Sequence, residues 1–596
     1  MTDIYEIIIK RKDDLDAELL ITCTNSKAEK FLVDKLCFDF SFFVDGYKYD
    51  GRYKYGNWDG KEYLFDKTTR SFSIGLIPRI HQAIRQVAPY FKITLDTSVR
   101  RVFESPRGKI LPDAIKQFAT SINIHNAITG NKLTPFEHQI DIVDKALNVR
   151  RASLVACTSS GKSLSIYLLA RYVMEKENSN VLLIVPNKAL VEQMYKDFKV
   201  EYGWGDEIDE KFSKIHSDVK GKNALTAAKK KKMEAMGIDP NTFYKENIIS
   251  TWQSLQNKDE LFFKRFGTII VDECHGTKAG KLQEMLNLCV NATIKIGVSG
   301  TIPLEGLAPH LIESALGKRY DIIRAYTLIA RGILTPVTIK SIRIPYDLKS
   351  IQAIQREKYD GQVSLLTNNG SKSRVLEELI RTGQITTDQN TIVLFNNVDP
   401  LFHFKAKFEK MFPEFKCSVY EGSTKLSIRE EVRDTLEQGV GNLVFASFGT
   451  MKQGVNIKLL HNIVFAECSK SMITIVQSVG RLLRKHKDKE HATCYDIYDD
   501  LSYWTKPRTV GKESEQKMNY SIDHYFYRKE FYDFEKFPLV EYDASFTANL
   551  EPIESIPESE RTQKRKANEA KRKGPKKQYD NNYNVDVNLG FGTNFF

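Results

Sequence analysis

Residues 156–163 read Ala-Cys-Thr-Ser-Ser-Gly-Lys-Ser, preceded by the apolar run Ala152-Ser153-Leu154-Val155 and followed by a helix-like apolar stretch from Leu164 to Val173. A turn of this kind between a strand and a helix makes consecutive backbone N–H groups converge on an anion, and the helix N-terminus adds its dipole. Ser160 and Gly161 would form the turn, Lys162 would reach the β- and γ-phosphates, and Ser163 would ligate Mg²⁺. Ala156 stands where the strict pattern has glycine, so the match calls for a second signal. That signal is Thr268-Ile269-Ile270-Val271-Asp272-Glu273-Cys274-His275, a β-branched strand ending in two carboxylates. Asp272 is expected to hold Mg²⁺ and Glu273 to orient or deprotonate water. The pair of signals predicts an α/β chain that hydrolyses a nucleoside triphosphate with Mg²⁺.

At 596 residues the chain exceeds one core and is expected to form several domains. No apolar run approaches the roughly 18 residues needed to span a bilayer, and no secretory signal is apparent. The cysteines include no Cys-x-x-Cys pair, which argues against zinc and disulfides and for a reducing compartment. A cytoplasmic protein is expected, in the host cell if the source is viral. The net charge of +12 is uneven: Arg561–Lys577 holds nine Lys/Arg and one acid, Glu569. Such a concentration points to a polyanionic partner.

Four regions and a connecting segment separate along the chain. Residues 1–112 are aromatic and basic, and the turn signals Asp45-Gly46, Asp50-Gly51 and Asp59-Gly60 predict hairpins in a small α+β, DNA-binding domain. A linker helix is expected in 113–131. Over 132–325 the strand-like runs Ser153–Ala156, Val181–Val185, Ile248–Ser250, Thr268–Val271 and Lys295–Val298 alternate with helical stretches, the pattern of a parallel sheet covered on both faces. The pattern repeats over 326–544, in Thr391–Phe395, Ser418–Tyr420, Leu443–Ala446, Asn462–Phe465 and Thr493–Ile497, with Ser427-Ile428-Arg429-Glu430 read as a capping box. This second half has no phosphate loop, so it should complete the site made by the first. Residues 545–596 read as a disordered basic tail. Lys229–Lys232 marks a basic insertion in the first sheet domain, either a solvated face or a nucleic-acid contact.

Gln477-Ser478-Val479-Gly480-Arg481-Leu482-Leu483-Arg484 places two guanidinium groups one helical turn apart, where both face one target. Taken with the first half, the residues resemble the core of superfamily 2 helicases, two tandem RecA-like domains. In this resemblance Gln139 corresponds to the adenine-reading glutamine, and Ala156–Ser163 to motif I. Val185–Leu190, with Asn187 and Lys188, resembles motif Ia. Ser250–Ser254, with Thr251 and Gln253, resembles a neighbouring strand-contact motif. Asp272-Glu273-Cys274-His275 is similar to the DExH form of motif II, and Ser299-Gly300-Thr301 stands in place of motif III. Phe445–Ile457, with Gly454 and Asn456, resembles motif V, and Gln477–Arg484 motif VI, with Gln477 where many members have histidine. The resemblance implies catalysis by Asp272, Glu273, Lys162, Arg481, Arg484 and Gln477. It also implies coupling of hydrolysis to motion through His275, Ser299 and Thr301.

Tyr55-Gly56-Asn57-Trp58-Asp59-Gly60, the DECH tetrad and Gly480-Arg481-Leu482-Leu483-Arg484-Lys485-His486 look more specifically like the phage UvsW family of DNA helicases. That family implies ATP-dependent remodelling of branched DNA: fork regression, Holliday-junction branch migration, unwinding and annealing in recombination, repair and replication. The basic insertion and the basic tail depart from it. In Asp50–Tyr55, strand alternation would put Tyr53 and Tyr55 on one face and Arg52 and Lys54 on the other. Either the tyrosines and Trp58 form the small domain's core or the tyrosines stack on bases, while Arg52, Lys54 and Lys61 meet phosphates. The alternatives are an RNA helicase, a duplex DNA translocase that never separates strands, and a scaffold that binds nucleic acid without hydrolysis.

Overall fold

In a computed structural model, residues 4–549 are described apart from 107, 220–224, 279, 304, 423–425, 452–456, 468–470 and 505–515. Two seven-stranded sheets, every pairing parallel, follow a four-stranded mixed sheet. This is the tandem RecA-like arrangement with a small α+β region in front. The tail beyond residue 549 lies outside the described residues, as do Gly454 and Asn456.

The first seven-stranded sheet runs Arg319–Ile323, Arg151–Ala156, Ile294–Ser299, Thr268–Asp272, Val181–Val185, Asn247–Thr251, Phe212–Ile215. Its central strands are buried almost throughout, as in Val181–Val185, because helices cover both faces, and Thr268–Asp272 opens only at Asp272. Each buried Val, Leu or Ile contributes about 1.5–3 kcal/mol of transfer free energy. Strand order has a direct consequence for function. The strands that end in the phosphate loop, in Ser299 and in Asp272 are three neighbours, paired through Ser299 with Val155 and Asp272 with Val298. Their carboxyl ends therefore open into one crevice, the usual ligand position in a doubly wound sheet. The edge strands Phe212–Ile215 and Arg319–Ile323 have no strong apolar run and were not among the predicted ones. The helix Pro112–Ser121, expected as a linker, places Ile115 and Ala119 in the core beneath this sheet.

The second sheet runs Lys416–Tyr420, Asn442–Ser447, Thr391–Phe395, Asn462–Phe465, Ala492–Asp500, Val337–Pro345, Leu539–Asp543. The helix Tyr520–Phe534 is pinned on it by a fully buried ion pair. Arg528 Nε and Nη2 donate to the Asp496 carboxylate at 2.8 and 2.7 Å, and Tyr532 Oη donates to the same group at 2.8 Å. The expected capping box is displaced, because the helix already begins at Leu426 and Ser427 is inside it.

The N-terminal sheet packs Ser26–Asp39 and Ile77–Val87 against Ile7, Ile9 and Leu19. The Asp-Gly signals do not make a series of hairpins. One short antiparallel pair, Ser41–Phe43 with Lys61–Tyr63, encloses residues 44–60. Within that loop Asp50 caps a helical turn, Gly51–Lys54, by accepting from Arg52 N–H at 2.8 Å. The strand alternation expected for Tyr53, Tyr55, Arg52 and Lys54 is therefore wrong: an Asx cap competes successfully with extended backbone here. The aromatics are not core either, since Tyr55 is 83% and Tyr53 37% exposed. Gly75 lies so close to the helix Ala308–Leu316 that a Cβ would sit 2.1 Å from Glu313 O. Arg79 Nη2 donates to buried Glu313 at 2.8 Å, and Phe42 stacks on His310 at 4.0 Å. These contacts dock the N-terminal region on the first sheet domain.

No helix among the described residues is long and apolar enough to cross a membrane.

Candidate nucleotide site and nucleic-acid face

Gly161 begins the helix Lys162–Glu177 from the left-handed region, φ 79°, and a Cβ there would lie 2.3 Å from Gln139 Nε2. Both constraints require glycine. Lys162 Nζ donates to the carbonyls of Ala156 and Cys157 at 3.3 and 3.4 Å, folded over the loop it serves. Ser159 and Glu273 are non-glycine residues at positive φ, 68° and 49°. Such conformations persist where surrounding contacts over-determine them, and both of these face one cleft.

That cleft, of about 880 Å³, is lined by Lys162, Ser163, Asp272, Glu273, Arg481 and Arg484 among others. The Asp272 carboxyl is pushed well above the usual carboxylate range, first by burial and then by the charge of Glu273. Burial alone would raise Glu273 too, but hydrogen bonding to His275, the Lys162 charge and Ser299 together hold it below the usual carboxylate range. Ser299 Oγ donates to Glu273 Oε2 at 3.0 Å and lies 3.1 Å from His275 Nδ1. The Thr301 carbonyl, 2.8 Å away, is the alternative acceptor for the same hydroxyl proton. The three expected coupling residues thus form one chain of contacts around Glu273.

The second sheet domain reaches the same cleft through the helix Met472–Leu482. Ser159 Oγ donates to the Gly480 carbonyl at 2.9 Å, and Arg484 Nε donates to Ser159 Oγ at 3.4 Å. Burial lowers the pKa of Arg481 to about 9 and that of Arg484 to about 10, and both side chains line that cleft. Desolvated positive charge of this kind favours a polyanion between the domains. Gln477 lines the cleft with its Oε1 buried and lacking a hydrogen-bond partner among the described residues.

Two contacts here had no sequence signal. Tyr202, buried, brings its hydroxyl to 2.7 Å from Ser163 Oγ. Gly480 approaches Thr158 so closely that a Cβ would sit 2.4 Å from Thr158 Cβ. Gly480→Ala is accordingly expected to hold the domains apart and lower nucleotide turnover in this cleft about 10–100-fold. Steady-state hydrolysis at saturating ATP checks this, and parental turnover would show that the approach is not used.

Gln139 is 4% exposed. Its Oε1 accepts from Phe136 N–H at 2.9 Å, and its Nε2 donates to the Ser160 and Gly161 carbonyls at 3.2 Å. In this structure it braces the phosphate loop, and reading a base would require exchanging those bonds.

The expected nucleic-acid residues divide. Asn187 and Thr251 are helix caps, accepting from Leu190 and Ser254 N–H at 3.0 and 3.4 Å. Lys188, paired with Asp218 at 2.6 Å, and exposed Gln253 share a groove with them at the carboxyl ends of the strands. In the N-terminal loop Arg52 pairs with Asp50 at 3.0 Å and covers the Trp58 ring, while Lys61 lies over Phe43. Lys54 is exposed. The Lys229–Lys232 run sits on the helix Ala227–Ala235, which buries no residue.

Two parallel sheets, a phosphate loop, a DECH strand end and a second-domain arginine pair in one cleft define a superfamily 2 helicase. The comparisons with known proteins agree region by region. Residues 132–304 match the model of the type III restriction enzyme res subunit, 371–486 the helicase conserved C-terminal domain, and 23–96 the N-terminal region of DNA helicase UvsW. The ATP-dependent DNA helicase uvsW of Enterobacteria phage T4 is 30% identical over 509 residues, covering 84% of this chain and 93% of that one. The chain belongs to the UvsW family of ATP-dependent DNA helicases. Among solved structures, T4 UvsW is 25% identical, covering 91% of this chain and all of that one with a TM-score of 0.42. A second structure of the UvsW helicase from the same phage is 26% identical over 53% of this chain, TM-score 0.41.

Proposed function

We propose that this helicase remodels branched DNA, forks and four-way junctions, by an ATP-driven closure cycle in the cytoplasm of an infected host cell. The observation that carries the cycle is the direct contact of Ser159 with Gly480 and Arg484, which brings second-domain arginines against the phosphate loop. In this reading Lys162 and the loop amides hold the triphosphate. Glu273, kept ionised by His275, Ser299 and Lys162, orients water toward the γ-phosphorus and accepts its proton. The bond from that phosphorus to the ADP oxygen breaks, and Arg481 and Arg484 stabilise the charge that develops. Release of phosphate loosens the arginine contacts and lets the domains part.

Ser163 and Asp272 would hold Mg²⁺. They fit it because Asp272 is a half-buried carboxylate whose ionisation is opposed by desolvation and by Glu273, an opposition a divalent cation removes. When bound, the cation neutralises phosphate oxygens.

Phosphate contacts are blind to sequence, so selectivity should be for DNA structure. The N-terminal loop, with Arg52, Lys54 and Lys61 beside exposed Tyr49 and Tyr55, is the candidate holder of a second duplex arm. Arg52→Ala/Lys54→Ala/Lys61→Ala is expected to slow processing of a labelled four-way junction about tenfold or more, with a smaller loss of single-strand-stimulated ATPase. Equal losses on junction, fork and single strand would make the loop a general grip. Including a plain RNA duplex distinguishes an RNA helicase, and a triplex-displacement assay distinguishes a duplex translocase.

A further inference from the structure

The groove that holds Asn187, Lys188, Thr251 and Gln253 continues beyond them. It occupies about 640 Å³ and is also lined by Lys214, Tyr244 and Lys258. These come from the edge strand Phe212–Ile215, from the residue that ends the helical turn Pro240–Phe243, and from the turn after the helix Trp252–Leu255. None belongs to a helicase motif.

Lys258 differs from the other lysines of this face. Lys188 and Lys214 are paired with Asp218 and Glu192, both at 2.6 Å. Lys258 is half-buried, donates to the Tyr244 hydroxyl at 2.8 Å and lies over its ring at 4.2 Å. Among the described residues no carboxylate oxygen lies within 4.0 Å of its Nζ. Burial, with the Lys230 charge next, lowers it to about 8. A cation desolvated in this way, on a groove wall, is stabilised by an incoming anion. The groove lies at the carboxyl ends of the strands and is continuous with the expected strand contacts. The anion that reaches it in series with them is the next phosphate of the same strand. The insertion helix carrying Lys229 and Lys230 flanks this position, with Lys229 over the Phe243 ring at 5.3 Å.

We propose that Lys258, held in place by Tyr244, is an additional phosphate contact for the DNA strand on which the motor tracks. The inference rests on reading this face as the strand track. Its test is binding of fluorescein-labelled oligothymidylate by the full-length protein across a salt series. Lys258→Gln is expected to weaken binding about tenfold at fixed salt and to flatten the slope of log K against log salt by about 0.7, the share of one phosphate on a single strand. Lys258→Arg should keep the slope. Tyr244→Phe should weaken binding several-fold with the slope unchanged, because the charge remains but its position is loosened. Lys258→Ala serves as a second charge-removing variant, each variant checked for fold by circular dichroism. A parental slope and affinity in a folded Lys258→Gln or Lys258→Ala protein would overturn the assignment. Failure of the parent chain to bind oligothymidylate would instead overturn the strand-track reading itself.

Discussion

Glu273→Gln is expected to reduce ATP turnover about 10²–10⁴-fold, the range for loss of a general base, with binding of DNA largely retained. Glutamine preserves the volume and the bond from Ser299 but removes the charge that His275 and Lys162 stabilise. The left-handed backbone at Glu273 keeps the side chain aimed into the cleft in either form. Lys162→Ala should fail as completely by a different route, weakening the triphosphate complex itself. Steady-state hydrolysis with saturating DNA, together with fluorescent-nucleotide binding, separates the two. Near-parental turnover in either variant would remove that residue from the proposed site.

Arg481→Ala and Arg484→Ala are expected to lower turnover about 10³-fold or more while leaving ATP affinity within about tenfold. An arginine delivered from the opposite domain acts on charge that appears in the transition state, and such groups are worth about 10³–10⁵ in rate. Arg481 is buried and Arg484 half-buried, and desolvation holds both below their ordinary range, so each stands where a polyanion gains most. Of the two, Arg484 contacts Ser159 directly. Its loss should therefore also loosen closure and reduce any ATP-induced rise in DNA affinity. A collapse of ATP affinity with unchanged turnover at saturation would make these arginines a binding element.

The parallel strands were legible where burial on both faces leaves an uninterrupted β-branched run: Val181–Val185, Thr391–Phe395 and Asn462–Phe465 were predicted to the residue. The edge strands Phe212–Ile215 and Arg319–Ile323 were not, because an edge position does not demand such a run. The loop 44–60 was misread for a related reason. Asp-Gly pairs are common to hairpin turns, helix caps and single left-handed residues, and which one forms depends on what packs beside them.

Local order in the sequence determined the candidate site: a strand, a Gly-Lys-Ser turn and a helix in immediate succession form the proposed phosphate loop, and a buried strand that stops at Asp272-Glu273 exposes two carboxylates at its end. Those features are short in range and carry their own geometry. Tertiary structure alone decided which neighbours complete them. The Tyr202 hydroxyl on Ser163, the fit of Gly480 against Thr158 and the docking of Arg79 on Glu313 join residues dozens to hundreds of positions apart. Such contacts leave no local pattern, because nothing near Gly480 or Tyr202 in the chain encodes what the packed sheets bring to face it.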